Sequence, residues 1–152
     1  MSTTHHNLDA AEVTQAILVI LRLNRGLDCV DAGLTPAQYR IMKLAGAGGE
    51  RSTRLAERLA VAKPTLTALA DGLVAAGYAS RTAEAGDRRV VRLTLTEAGQ
   101  AALDRADAAY AAWLTDLLAA TGEPATVLAA LGLLDSALTE ARRARKKEDG
   151  NG

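Results

Sequence analysis

Residues 86–99 read GDRRVVRLTLTEAG, and they place Arg88, Arg89 and Arg92 beside the alternating run Val91-Arg92-Leu93-Thr94-Leu95-Thr96. Alternation of this kind is the signature of a half-buried strand. The glycine and acid ahead of it mark a turn, so the arginines stand at the tip of a β-hairpin. The whole chain carries 18 basic and 18 acidic residues. Concentrating cations at one hairpin tip in a neutral chain needs a reason, either a partner or protection of an exposed strand edge.

Working outward, Tyr78 to Thr82 is the first hairpin strand, Val90 to Thr96 the second, and "AEAGD" the loop between them. Upstream, Val13, Ile17, Ile20 and Leu27 recur at helical steps, giving a helix from about Asp9 to Asp28 whose stripe Asn24 interrupts. Thr35 is a good N-cap and Pro36 suits a first helical position, so a second helix runs to "GAGGE". Ser52 is the expected cap of a short third helix, "TRLAERLA". After a bend at Val61-Ala62, a fourth helix, "KPTLTALADGLVAAG", stops at Gly77. Downstream, Thr96 caps a long helix through Leu103, Ala106, Tyr110, Trp113 and Leu117, which Thr121-Gly122-Glu123-Pro124 breaks. The last helix spaces Val127, Leu131, Leu134 and Leu138 as a coiled-coil-like seam. Its near-continuous apolar run from Val127 to Leu134 asks for more burial than one small domain offers.

The expected class is therefore mainly α with a small β-hairpin. Residues 1–8 read as a disordered polar start, 34–96 as one lobe, 9–33 and 97–145 as flanking helices, and 146–152 as a disordered tail. Composition agrees: 49% of residues are hydrophobic, none is Phe, and Leu and Ala, strong helix formers, must carry the core. One cysteine excludes an internal disulfide and fits a reducing cytoplasm, and no signal peptide or membrane-length apolar run is visible. Charge is segregated, because residues 35–96 hold ten basic side chains against five acidic ones. The helices on either side are net acidic. That is the pattern of a nucleic-acid reader mounted on a scaffold that does not bind.

Short helix, tight bend, second helix and hairpin is the order of a winged helix-turn-helix. A helix about 10–12 Å across fits the major groove, and arginines on the hairpin can enter the minor groove, where negative potential is focused. Arg88 and Arg89 are the candidate wing probes, with Asp87 fixing an arginine rotamer. Lys63, Pro64, Thr65, Thr67 and Ala68 are the candidate recognition-helix contacts, Thr65 and Thr67 being taken to face one side. Ser52, Arg51 and Arg54, together with Lys63, are the candidates for the DNA backbone, where contacts position rather than specify.

The pieces "LTPAQYRIM", "LAERLAVAKPTLTALADGL", "AAGYASR" and "DRRVVRLTLTEAG", in that order and spacing, resemble the MarR family of bacterial transcriptional regulators along nearly the whole chain. The resemblance implies a homodimer built from the first helix and the last two. Val13, Ile17, Ile20, Val127, Leu131, Leu134 and Leu138 are then the dimerisation residues. It also implies a pseudo-palindromic double-stranded DNA operator, repression, and binding tuned by a small-molecule effector or by oxidation. The chain departs from the family where a basic residue is usual, at Ala68 and often at Gly72, and where Ala62 replaces a serine-like cap. The recognition helix is thus unusually bare, and phosphate contacts and the wing must supply more of the affinity. Gly72 costs about 1 kcal/mol against Ala in mid-helix, and close packing is the ordinary explanation.

Other signals carry less. Cys29 has no resolving partner and reads as a packed or surface thiol. His5-His6 are the only histidines, which leaves no basis for a metal site, and no cofactor motif or catalytic constellation stands out, so an enzyme is not expected. Tyr39, Tyr110 and Trp113 are candidates for an effector pocket, but aromatics at helical spacing are more often plain core, so the pocket stays unassigned. Arg142, Arg143, Arg145, Lys146 and Lys147 sit where a helix C-terminus favours cations. The alternative function is a winged-helix dimer that has lost DNA reading and serves as a protein-interaction or ligand-sequestering module.

Overall fold

A computed structural model describes residues 9–46, 48–84 and 86–149, with the side chains of Arg88, Arg89, Lys146 and Asp149 excepted. The expectations for residues 1–8, His5-His6 among them, and for 150–152 lie outside the described residues. The elements, in order, are α1 (Ala10–Asp28), α2 (Pro36–Ala45), β1 (Glu50–Arg51), α3 (Ser52–Leu59), α4 (Lys63–Ala75), β2 (Ala79–Glu84), β3 (Asp87–Leu95), α5 (Glu97–Ala120) and α6 (Pro124–Asp149). The chain divides into two compact units, 1–110 and 111–152.

Local chemistry explains most of the boundaries. Asp9 caps α1 by accepting from the Ala11 amide at 3.1 Å. At α2, Thr35 Oγ1 accepts from the Gln38 amide at 3.2 Å while the Thr35 amide donates to Gln38 Oε1 at 3.0 Å, a reciprocal capping box. α3 begins differently from expectation: Ser52 is its first helical residue, and Arg51, with no side-chain cap, holds the N-cap position. The cause is a strand that sequence reading missed. Two polar residues, Glu50 and Arg51, pair antiparallel with Leu93 and Arg92, which keeps Arg51 extended as the N-cap, and the helix begins one residue earlier than expected.

The turn between α3 and α4 starts at Ala60, which adopts the left-handed conformation (φ 53°, ψ 43°) and donates its amide to Glu57 O. A left-handed alanine costs on the order of 1 kcal/mol. That cost is offset by the helix reversal it permits. The hairpin is longer than expected. β2 extends to Glu84 and β3 starts at Asp87, so only residues 85 and 86 separate them, and Asp87, Arg88 and Arg89 belong to a strand rather than a loop. The register is Ala79↔Leu95 through Ala83↔Val91, then slips so that Glu84 faces Asp87. The sheet order is β1-β3-β2.

The core of the first unit draws on four elements for its largest fully buried side chains: Ile41 and Met42 from α2, Leu55 from α3, Leu73 from α4 and Leu93 from β3. Leu103, Ala106 and Tyr110 of α5 join the same cluster. The lobe therefore takes in the first half of α5 and does not stop at residue 96. In the second unit, α6 runs to Asp149, beyond the end expected at residue 145, and its Leu131, Leu134 and Leu138 are exposed. No single helix among the described residues is long and apolar enough to cross a membrane.

Four elements of the first unit converge on Tyr78. Its amide donates to Leu73 O at 2.9 Å, closing α4, and its carbonyl accepts the Thr96 amide at 3.0 Å. Thr96 Oγ1 donates to Gly77 O at 2.6 Å and accepts the Gly99 amide at 3.0 Å, starting α5. A Cβ on Gly99 would lie 1.8 Å from the Tyr78 carbonyl oxygen, so this position admits no side chain. Gly72 behaves in the opposite way. A Cβ there meets nothing within 4 Å, so close packing does not account for it.

These two glycines make a paired prediction. Gly99→Ala should destabilise the fold by about 2 kcal/mol or more through overpacking, whereas Gly72→Ala should stabilise it by up to about 1 kcal/mol. Urea melts at matched protein concentration would show the midpoints moving in opposite directions.

Candidate nucleic-acid interface

α4 buries Leu66, Ala70 and Leu73 and turns Pro64, Ala68, Asp71, Gly72 and Ala75 to solvent. Lys63 is exposed at the first helical position, and Ala62 supplies no side-chain cap, so the amides of the first turn face outward without one. Thr65 and Thr67 are both exposed but do not share a side. Two residues along a helix turn the side chain through about 200°, so they lie on opposite flanks of the outer face. Thr67 Oγ1 donates to Lys63 O at 3.0 Å, leaving Thr65 the freer hydroxyl. All five expected recognition-helix residues are thus exposed on one element.

The wing is fastened to the helix-turn-helix by two carboxylates. Glu84, at the bulge near the end of β2, accepts a bidentate pair from Arg51, Nε at 2.9 Å and Nη2 at 2.7 Å, and a longer contact from Arg92 at 3.5 Å. The hydrogen bond from Arg51 holds the Glu84 carboxyl below the usual carboxylate range, and the same bond raises the Arg51 guanidinium. Glu50 of β1 faces Arg54 and Arg58, each at 3.7 Å. On the other side, Arg81 of β2 pairs with Asp71 of α4 and donates to Thr67 O at 3.3 Å. Ser52, Leu66, Thr67, Ala70, Arg81 and Val91 line the groove between α4 and the wing.

Of the expected backbone contacts, Ser52 lines this groove, Arg51 is turned to Glu84, and Arg54 is the most exposed of the paired arginines, with 68% of its side chain accessible. Arg88 and Arg89 lie on β3, and their side chains are outside the described residues. Asp87 is exposed on the same strand. Sequence reading missed Glu84, Asp71 and Arg81. Their partners are distant in the chain, and only the pairing of β2 with β3, and its packing on α4, brings them near.

Of the aromatic residues weighed for an effector pocket, Tyr39 and Tyr110 are engaged with the core. Tyr39 and Tyr110 meet edge-on with centroids 4.8 Å apart, and Tyr110 Oη donates to Leu34 O at 3.0 Å. Tyr39 Oη donates to Asp107 Oδ1 at 2.5 Å, while Lys43 Nζ donates to Asp107 Oδ2 at 3.0 Å. Burial, followed by the bond to Asp107, pushes the Tyr39 phenol up to about 12 from 10.0. Trp113 lies in the other unit, half-buried. Cys29 is an exposed free thiol.

Residues 32–90 match the model of the MarR family. The chain is 29% identical over 111 residues to the HTH-type transcriptional repressor YetL of Bacillus subtilis (strain 168), a match covering 67% of this chain and 66%, just under two thirds, of that repressor. Among solved structures it resembles the transcriptional repressor CouR bound to a 23-mer DNA duplex, at 28% identity and a TM-score of 0.74, covering 87% of this chain and 99% of CouR. It also resembles NadR in complex with 4-hydroxyphenylacetate, at 25% identity and a TM-score of 0.59, covering 93% and 98%.

The Tyr39 site makes a titration prediction. A phenol whose folded pKa is raised contributes stability that is present below its unfolded value near 10 and is lost as pH climbs through about 12. Phenolate absorbance should show the Tyr39 component, obtained by difference from Tyr39→Phe, titrating well above pH 10. Asp107→Asn should draw it back towards 10. A wild-type midpoint near 10 would show the phenol to be solvated and its bond to Asp107 unmade in solution.

Proposed function

We propose, from the premise that this chain is a winged-helix protein of the MarR family, that it is a double-stranded DNA-binding transcriptional regulator acting as a homodimeric repressor. The observation carrying this reading is the joint presentation, on one lobe, of an exposed α4 face without a side-chain cap and a wing anchored by Glu84 and Arg81. In the proposed mode, α4 enters the major groove from its N-terminal end, with Lys63, Pro64, Thr65, Thr67 and Ala68 nearest the bases. The Arg88-Arg89 end of the wing reaches the adjacent minor groove. Arg54, Ser52 and the first-turn amides of α4 meet phosphates, while Arg51 reaches one only by sharing itself with Glu84.

A second copy is part of the proposal. Val13, Ile17 and Ile20 of α1 are 41%, 52% and 57% exposed, and Leu131, Leu134 and Leu138 of α6 are 40%, 55% and 60% exposed. Stripes of this kind are costly in water at about 25 cal/mol per Å². Pairing with a second chain covers them and presents two recognition helices to a pseudo-palindromic operator. Repression follows by occlusion of a promoter in the cytoplasm. A small-molecule effector that prefers another spacing of the two helices releases the dimer. The effector element draws support from the NadR likeness.

A second reading, a winged-helix dimer serving as a protein-interaction or ligand-sequestering module, is favoured by one observation. The outer face of α4 carries Asp71 and, beyond Lys63, no cation. Fluorescence anisotropy separates the two, using duplex from the intergenic region beside the gene and a scrambled duplex at two salt concentrations. The regulator reading expects tight, salt-sensitive and sequence-selective binding; weak binding without preference supports the module.

Two variants sharpen the mechanism. Arg89→Ala should weaken binding to every duplex and lower the salt slope by about one unit, and an unchanged affinity would remove the wing from the interface. Ile17→Asp with Leu134→Asp should convert the dimer to a monomer by analytical ultracentrifugation and abolish tight operator binding. A persistent dimer would move the interface elsewhere.

A further inference from the structure

Asp71 is the only acidic residue of α4, and it stands on the outer face, three residues after Ala68 and seven after Pro64. Its side chain is 57% exposed. A carboxylate there opposes a DNA backbone, since phosphates repel it, so it cannot be a phosphate contact. Its setting is nonetheless built. Arg81 reaches across from β2, one nitrogen on Asp71 Oδ1 and the other on Thr67 O at 3.3 Å, which fixes the carboxylate from the wing side. The pair is neutral overall, so it enters a negative groove without the repulsion a free carboxylate would meet. Oδ2 makes no hydrogen bond among the described residues and retains its acceptor capacity.

Between the flanking Thr65 and Thr67, Asp71 carries the hydrogen-bonding side chain of that face. Pro64, Ala68, Gly72 and Ala75 have no side-chain hydrogen-bonding group, and Gly72 leaves open space beside the carboxylate. An ionised carboxylate only accepts hydrogen bonds. In the major groove, guanine and thymine present acceptors to it, adenine presents one donor next to an acceptor, and cytosine presents its N4 amino group. The acceptor therefore selects cytosine and rejects guanine and thymine.

We propose that Asp71 reads a cytosine amino group in each half-site and that Arg81 is its positioning residue, holding the carboxylate towards the groove. This rests on the DNA-reading proposal above and adds the identity of one base.

The test is enrichment of binding sites from a randomised duplex pool, run on the full-length wild type, Asp71→Asn and Arg81→Met. The wild type should enrich a motif with one cytosine column per half-site. Asparagine pairs with adenine N6 and N7, so Asp71→Asn should turn that column to adenine and leave the others in place. Arg81→Met should blur the same column while the other columns persist. With the wild-type protein alone, exchanging that C·G pair for T·A should cost roughly tenfold in affinity. A motif whose columns are identical for wild type and Asp71→Asn overturns the inference and leaves Asp71 a helix-to-wing tie, with the reader reading intact. Enrichment of no motif by the wild type overturns both.

Discussion

The carbonyl of Tyr78 is the point on which the lobe is hung. It lies where α4 has just ended, β2 is about to start, β3 finishes alongside and α5 begins, and it takes the Thr96 amide while Gly99 passes close enough to exclude a side chain. Backbone polar groups gathered this tightly have few ways to be satisfied. The set found here, with Thr96 bonded to both Gly77 and Gly99, fixes the direction in which α4 leaves the turn and the root from which the wing projects. The proposed reading of two grooves needs both to be set by rigid structure, because an error of an ångström at the root grows along the hairpin.

Charge acts on top of that frame. The ties from Glu84 to Arg51 and from Asp71 to Arg81 lie at the surface, where solvent screens ion pairs and leaves them little weight in stability. Their consequence is geometric. One joins the wing to the start of α3, the other joins it to the outer part of α4, so that the hairpin is braced from both helices of the motif. The same pairing sets carboxylates among the cations of residues 35–96, a segment with twice as many basic as acidic residues. Glu50 and Glu84 between them hold Arg51, Arg54, Arg58 and Arg92.

Much of this was legible before any coordinates. Thr35-Pro36, Gly77 and Thr96 announce their helix boundaries through capping chemistry that acts within a few residues. What escaped depends on partners distant in the chain. Glu50-Arg51 has no alternation to betray a strand and becomes one only opposite Arg92 and Leu93. Ser52 looks like a cap and is displaced from that role by the strand before it. The wing strands run to residues 84 and 87 because a bulge lets Glu84 turn to Arg51, 33 residues earlier. Asp71 and Arg81, ten residues apart on different elements, look in the sequence like unrelated surface charges.

In the proposed mode, one rigid lobe addresses two grooves of the same duplex, twice, through a symmetric dimer. Chemical footprinting of the enriched operator tests this most directly, with dimethyl sulphate reporting the major groove and hydroxyl radicals the minor groove. The account predicts two blocks of major-groove protection about one helical turn, 10–10.5 base pairs, apart, each flanked on its outer side by minor-groove protection. A single protected block, or protection of the major groove with the flanking minor grooves left open at saturation, would contradict it.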